Sequence, residues 1–208
     1  MDTYDKIVKY GQEKYGIEIK FKDESFFMKI LSFTLFFNPR FKTNYITTIG
    51  KKIYFPSQQW LKENRDSASR VLAHEYVHVL DSIEAGSFIF SYSYLFPQVL
   101  ATLSLCSLSG NLWWLLSLLF LLPIPAPMRC HYELRGYAMS DAVSYKVFGE
   151  FLPIDFIEKQ FLTSAYYYMW PFKHDIHNRI LANRDLIKKG ALNQKIEKSS
   201  EILACFEK

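Results

Sequence analysis

Between Glu84 and Arg129 the chain carries no charged residue. Within that stretch Phe88 to Leu105 forms one apolar run and Leu112 to Leu122 another, separated by Ser107-Leu108-Ser109-Gly110-Asn111. Apolar surface on this scale needs a partner, either lipid or protein. Two such runs joined by a polar turn predict a helical hairpin, bounded at 86–128. In lipid they form two membrane-crossing or membrane-dipping helices, the second short of the roughly twenty residues of a full span. Trp113-Trp114 and the proline-rich end, Pro123-Ile124-Pro125-Ala126-Pro127, suit a membrane interface. In protein, the same hairpin is a buried insertion or a contact with partner subunits.

The rest of the chain reads as the domain that hosts this insertion. A length of 208 residues fits one domain, 1–208, with a real core. Half the residues are hydrophobic and 17% are aromatic, which excludes a disordered tail. The formal charge of +4 is spread over interleaved acids and bases, so no footprint for nucleic acid is expected. Cys106, Cys130 and Cys205 are far apart and odd in number. They read as free thiols or small buried hydrophobes, not as a disulfide framework or a cysteine zinc site. Met1 to Lys22 is polar and lacks an apolar core, so no secretory signal is expected.

Local patterns set the expected elements. Tyr4, Ile7, Val8 and Tyr15 lie at helical spacing, with Asp2 or Thr3 as the N-cap. Ile17 to Phe21 alternates like a short strand. Phe26 to Phe37, closed by Asn38-Pro39, reads as a buried or surface-lying helix too short to span a membrane. Two β-branched and aromatic runs flank Gly50-Lys51 between Tyr45 and Phe55, which predicts a hairpin. Ser57 caps a short helix through Trp60, and Asp66 or Ser67 caps a longer one from Ala68 to about Glu84. After the apolar stretch an amphipathic helix is expected from Arg129 to Phe148, followed by helical patterns broken at Gly149, Pro153, Pro171 and Gly190. The fold class is α+β, mostly α.

The expected helix from Ala68 to about Glu84 carries His74-Glu75-Tyr76-Val77-His78. Residues four apart share a helix face, so both imidazoles can point at one ion. Neutral imidazole suits zinc, and a catalytic zinc site keeps one position open for water. Glu75 stands beside the metal without binding it, placed to accept a proton from the activated water. Val71, Leu72, Val77, Leu80 and Ile83 supply apolar faces, and no proline or glycine interrupts the motif. The bland alternative is a helix whose histidines only satisfy local hydrogen bonds.

A third ligand must come from elsewhere. Glu84 lies ten residues after His74, but the chain reversal that would bring it back needs a glycine where this chain has Asp81. His174 and His177 can share a helix face late in the chain, although surface or capping roles suit them better. Glu133, on the helix after the apolar stretch, completes a two-histidine, one-glutamate site with an open position. His131, two residues away, faces elsewhere.

With these residues the chain resembles the gluzincins, zinc peptidases in which His-Glu-x-x-His is joined by a glutamate from a separate helix. The resemblance spans roughly Tyr45 to Asp141. At the third ligand the family shows Glu-x-x-Ala-Asp or Glu-x-x-Ser-Asp. Here Glu133-Leu134-Arg135-Gly136-Tyr137 keeps the small residue but has Tyr137 where an aspartate is usual. Asp81, one turn past His78, is then the candidate to orient a liganding imidazole. The resemblance implies a zincin-like domain, a Zn2+ cofactor, a peptide or protein substrate, and an edge strand that takes extended substrate by strand addition. Tyr137 is the first candidate donor to the developing oxyanion, with His174 second.

The apolar hairpin separates Glu75 from Glu133, so its two flanks must lie on the same side. Both flanks carry lysines and arginines and the turn carries none, which predicts membrane association with the site on the cytoplasmic side. This resembles the membrane gluzincins of the CAAX-prenyl-protease and heat-shock-protease type, without their further N-terminal spans. The expected activity is that of a zinc metalloendopeptidase. The rival expectation is a structural component of a larger assembly, such as a virion, that keeps the zincin fold and uses the hairpin as a protein interface. A membrane-anchoring module with a coincidental motif is a third.

Overall fold

The helical spacing near the N-terminus forms α1, Thr3–Tyr15, in a computed structural model that describes residues 2–34, 43 and 45–207. Helix α1 buries Tyr4, Ile7 and Gly11. Asp2 precedes it but makes no side-chain cap, because its carboxylate pairs with Arg65 at 2.5 Å. Strand β1 (Glu18–Phe21) follows, then α2 (Phe26–Thr34), which buries Met28 and exposes Phe26, Phe27 and Ile30. It is the surface-lying alternative. Its expected end, near Asn38-Pro39, lies outside the described residues.

The predicted hairpin is present as β2 (Thr47–Ile49) and β3 (Lys52–Phe55), paired antiparallel with Thr48 opposite Ile53. Gly50 takes the positive φ of +57° that this turn requires. Strand β1 joins β3 in parallel, giving the order β1-β3-β2. The buried Ile53, Tyr54 and Phe55 make β3 the central strand and leave β2 on an edge.

Ser57 caps α3 (Gln58–Glu63) by accepting from the Trp60 amide at 3.0 Å, as expected. Helix α4 spans Arg65–Ala85, so it begins before the expected caps Asp66 and Ser67, and both lie inside it. Asn64 precedes α4 and turns its amide back to the Trp60 carbonyl. The Asn64 side chain does not cap α4; the helix is held by packing, with Ala68, Leu72, Ala73, Tyr76, Val77 and Val79 buried.

The charge-free stretch departs most from expectation. A continuous helix across Phe88 to Leu105 does not form. Helix α5 (Ser87–Leu95) stops at Phe96, which is extended with ψ 137°, and the chain bends by 93° into a 3₁₀ segment, Gln98–Ser109. Pro97 gives the reason: it lacks an N–H and disfavours helical backbone in the residue before it. A second 3₁₀ segment, Leu112–Leu121, packs against the first, burying Ala101 and Ser117 between them. Among the described residues no single helix is long and apolar enough to cross a membrane, although the bent pair together meets that requirement by length and composition.

Helix α6 spans Pro127–Phe148, with Pro127 in the first turn, where a missing N–H costs nothing. It was expected to be amphipathic; instead it is enclosed, with most residues from Cys130 to Ser144 buried. Two cores explain this. One gathers α1, β3, α4 and the second half of α6; the other gathers Cys130 and Leu134 of α6 with α7 (Ile154–Leu162) and α8 (Lys173–Lys188). Each fully buried large apolar side chain contributes about 1.5–3 kcal/mol. Helix α9, Ser199–Ala204, closes the first core. The chain is mostly helical, 70% helix against 6% strand, an α+β arrangement with one small sheet. All three cysteines are free, and only Cys130 is buried.

Candidate metal centre

Helices α4 and α6 lie against each other, and their crossing brings the motif to Glu133. Gly136 permits the close approach. A Cβ there would stand 2.5 Å from His74 Nε2 and 2.6 Å from Cε1, so any side chain must displace the ring. The small residue read one turn after Glu133 therefore has a local reason: it is the floor under His74.

His74, His78 and Glu133 are all buried, and their ligating atoms lie within 4.8 Å of one another. The two Nε2 atoms are 3.1 Å apart. His74 Nε2 stands 3.3 Å from Glu133 Oε2, and His78 Nε2 stands 3.6 Å from Glu133 Oε1. Ligands around a tetrahedral zinc at about 2.0–2.1 Å are separated by about 3.3 Å, so the spacing fits such an ion. A second observation agrees. Glu133 Oε2 is buried and makes no well-directed hydrogen bond among the described residues, with His74 Nε2 3.3 Å away, and an ion between the two would satisfy it.

The protonation of the trio follows from its enclosure. Burial raises the Glu133 carboxyl, but His74, His78 and the Tyr94 hydroxyl outweigh it and hold it down at about 2. Burial pushes His74 down, yet the adjoining Glu133 carboxylate reverses this and leaves it above the ordinary imidazole value. His78 stays below that value because burial dominates there, with His74 and Arg135 adding to it against Glu133. One carboxylate and at least one neutral imidazole are thus ready for a metal near neutral pH.

Glu75 points into a cleft of about 570 Å³ that also holds His78 and Glu133. Thr48 of β2 donates to Glu75 Oε2 at 2.6 Å, tying the edge strand to the motif helix. The remaining walls are Tyr45 to Ile49 on one side and Phe90, Ser91, Tyr94 and Leu95 of α5 on the other, with Leu31 and Tyr166. Lys22, buried at the end of β1, donates to the Tyr45 carbonyl at 2.8 Å and so anchors the approach to β2. Burial lowers its ammonium to about 8, against the pull of Glu75.

Other predicted residues fall elsewhere. Glu84 and His174 are exposed and belong neither to the trio nor to the cleft. His177 Nδ1 pairs with the buried Glu158 at 2.7 Å, away from the trio, and His131 is exposed beside Tyr132. Asp81 does not hydrogen-bond to His78. Its Oδ1 pairs with Arg135 at 2.9 Å, while Oδ2 and His78 Nδ1 both lack partners among the described residues. Tyr137 packs edge-on against the His74 ring, centroids 4.8 Å apart, and its hydroxyl bonds to Tyr166. Tyr166 is the one of that pair in the cleft wall. Sequence reasoning missed Tyr94, Tyr166, Thr48 and Lys22. Only the first carries a signal: a tyrosine in a charge-free stretch needs a partner for its hydroxyl when buried.

No known family model, curated protein or solved structure matches this chain.

Proposed function

We propose that the chain is a zinc-dependent endopeptidase with a zincin-like fold of the gluzincin type. The observation that carries this reading is the convergence of three buried ligand atoms, from His74, His78 and Glu133, with Glu75 beside them in an open cleft. His74, His78 and Glu133 would hold the ion. Bound zinc supplies Lewis acidity at a substrate carbonyl and lowers the pKa of water. Glu75, oriented by Thr48, takes a proton from the attacking water and passes it to the leaving amine. The edge of β2, unpaired among the described residues, receives an extended peptide by strand addition. The Tyr137–Tyr166 pair supplies hydroxyl donors for the oxyanion, with Tyr166 on the cleft side.

Segment 86–128 attaches this domain to a membrane surface, with the site on the cytoplasmic side. The support is its exposed Phe88, Leu108, Leu112 and Trp113 together with lysines and arginines confined to its flanks. The same exposure favours a second reading, a component of a larger assembly such as a virion that covers the segment with protein. Purified protein is expected to contain zinc and to cleave an unstructured protein substrate. Glu75→Gln should lower that cleavage by roughly 10²–10⁴-fold while keeping its zinc. Cleavage at the wild-type rate by Glu75→Gln removes Glu75 from the chemistry. Zinc without cleavage selects the assembly reading.

A further inference from the structure

Tyr94 belongs to the charge-free stretch, yet its hydroxyl donates to Glu133 Oε1 at 2.5 Å. Its ring stands edge-on to His78, with centroids 6.1 Å apart. Arg129, in the first turn of α6, grips the same residue twice. Its Nε donates to the Tyr94 carbonyl at 3.0 Å, and its guanidinium lies 5.2 Å over the ring. Glu133 thus has one oxygen engaged by Tyr94 and the other, Oε2, buried and turned toward His74 Nε2 at 3.3 Å without a well-directed hydrogen bond.

We propose that Tyr94 is a positioning residue of the metal centre, fixing Glu133 through Oε1 so that Oε2 faces the ion. The terminal torsion of a glutamate is broad and two-fold, so an unheld carboxylate can offer either oxygen or swing aside. A donor on Oε1 removes that freedom, as partners of metal-bound carboxylates generally do. Helix α5, the first element of the charge-free stretch, is then a part of the metal centre rather than an appendage beside it. The proposal rests on reading the trio as a metal site.

The test is zinc affinity, measured on metal-free full-length protein by competition with a chromophoric chelator. Tyr94→Phe keeps the ring and removes only the hydroxyl. It is expected to bind zinc about 10–100-fold more weakly, with an altered cobalt(II) absorption spectrum and an unchanged thermal midpoint in the metal-free state. Arg129→Gln loosens the grip on Tyr94 without touching Glu133 and should weaken zinc binding in the same direction by less. Wild-type affinity in Tyr94→Phe overturns the proposal; if that variant does not fold, wild-type affinity in Arg129→Gln does so. Wild-type protein that takes up no zinc overturns the metal reading itself, which separates the two failures.

Discussion

The α4–α6 crossing and the stretch from Ser87 to Leu122 are both apolar, but they use that character in opposite ways. At the crossing, buried apolar side chains surround a few polar atoms that converge on one point, and Gly136 leaves the His74 ring the room that any side chain there would take. Along the stretch, Leu108 is 88% exposed and Phe88 83%, and the backbone runs in long 3₁₀ segments with only Ala101 and Ser117 buried. Such segments rarely exceed three or four residues, because their hydrogen bonds are poorly aligned and side chains three apart eclipse. The crossing is specified from inside the chain. The stretch leaves most of its apolar side chains exposed, and under the proposed reading a membrane or protein partner covers them. Helix α5 joins the two regimes, with Phe90 and Tyr94 against the site and Phe88 and Ile89 turned outward.

The largest expected effect breaks the second regime and spares the first. Leu108→Glu combined with Trp113→Glu places two charges where the stretch is most open. Burying a charged residue in a bilayer costs about 2.5–3.5 kcal/mol at the helix centre, so binding to phosphatidylcholine–phosphatidylglycerol vesicles should fall by more than a hundredfold. Zinc content should not change, because neither residue touches the trio. A double variant that leaves vesicle binding intact but dissolves an oligomer assigns the stretch to a protein partner.

The next effect sharpens the first regime. Gly136→Ala puts a methyl group 2.5 Å from His74 Nε2, closer than non-bonded atoms tolerate, so the ring must turn or the helices must part. Zinc affinity is expected to drop by roughly 10–100-fold, as when a metal ligand loses its support. Chelator competition measures it, and unchanged affinity shows that the crossing is softer than its geometry implies.

These two regimes also differ in how far they could be read in advance. The interior trio was legible because its parts are local. His74 and His78 are a helical turn apart, and Glu133 sits one turn before a glycine on a helix that Pro127 and Gly149 delimit. The hairpin was legible from Gly50 and the runs around it, but the parallel partner β1 was not, since nothing in Glu18–Phe21 names a distant strand. The start of α4 was misplaced because Asp66 and Ser67 look like caps, whereas packing carries the helix back to Arg65. Pro97 was visible, yet the weight of apolar residues around it favoured one continuous helix; the 93° bend follows the proline. Asp81 was assigned to His78 on helical spacing alone, and the nearer charge of Arg135 across the crossing took it instead.

That misassigned carboxylate yields the smallest prediction and the finest contrast between the regions. Burial pushes Asp81 up to about 6 from its ordinary 3.8, with Arg135 opposing. A carboxyl raised on folding binds its proton more tightly in the folded chain. Its stabilising contribution is therefore complete below about pH 4 and is lost as pH rises through about 6. Glu133 has the opposite sign, losing its contribution only as pH falls from 4.5 toward about 2, and His74 changes above 6.5. The interval from about pH 4.5 to 6.5 thus separates Asp81 from these two, while His78, held below the ordinary imidazole value, acts there with the opposite sign in wild type and variant alike. With zinc removed, the stability of Asp81→Asn relative to wild type should rise across this interval by on the order of 2 kcal/mol, measured by urea unfolding. Asn leaves Arg135 without its charge partner at every pH, so it is the slope, not the absolute stability, that reports on Asp81. Segment 86–128 has no charged residue and no histidine, and Arg129 lies just beyond its end. Its docking should accordingly be indifferent to pH across the same interval, and a docking curve that bends with the slope of Asp81 would show that the two regions are coupled through α5.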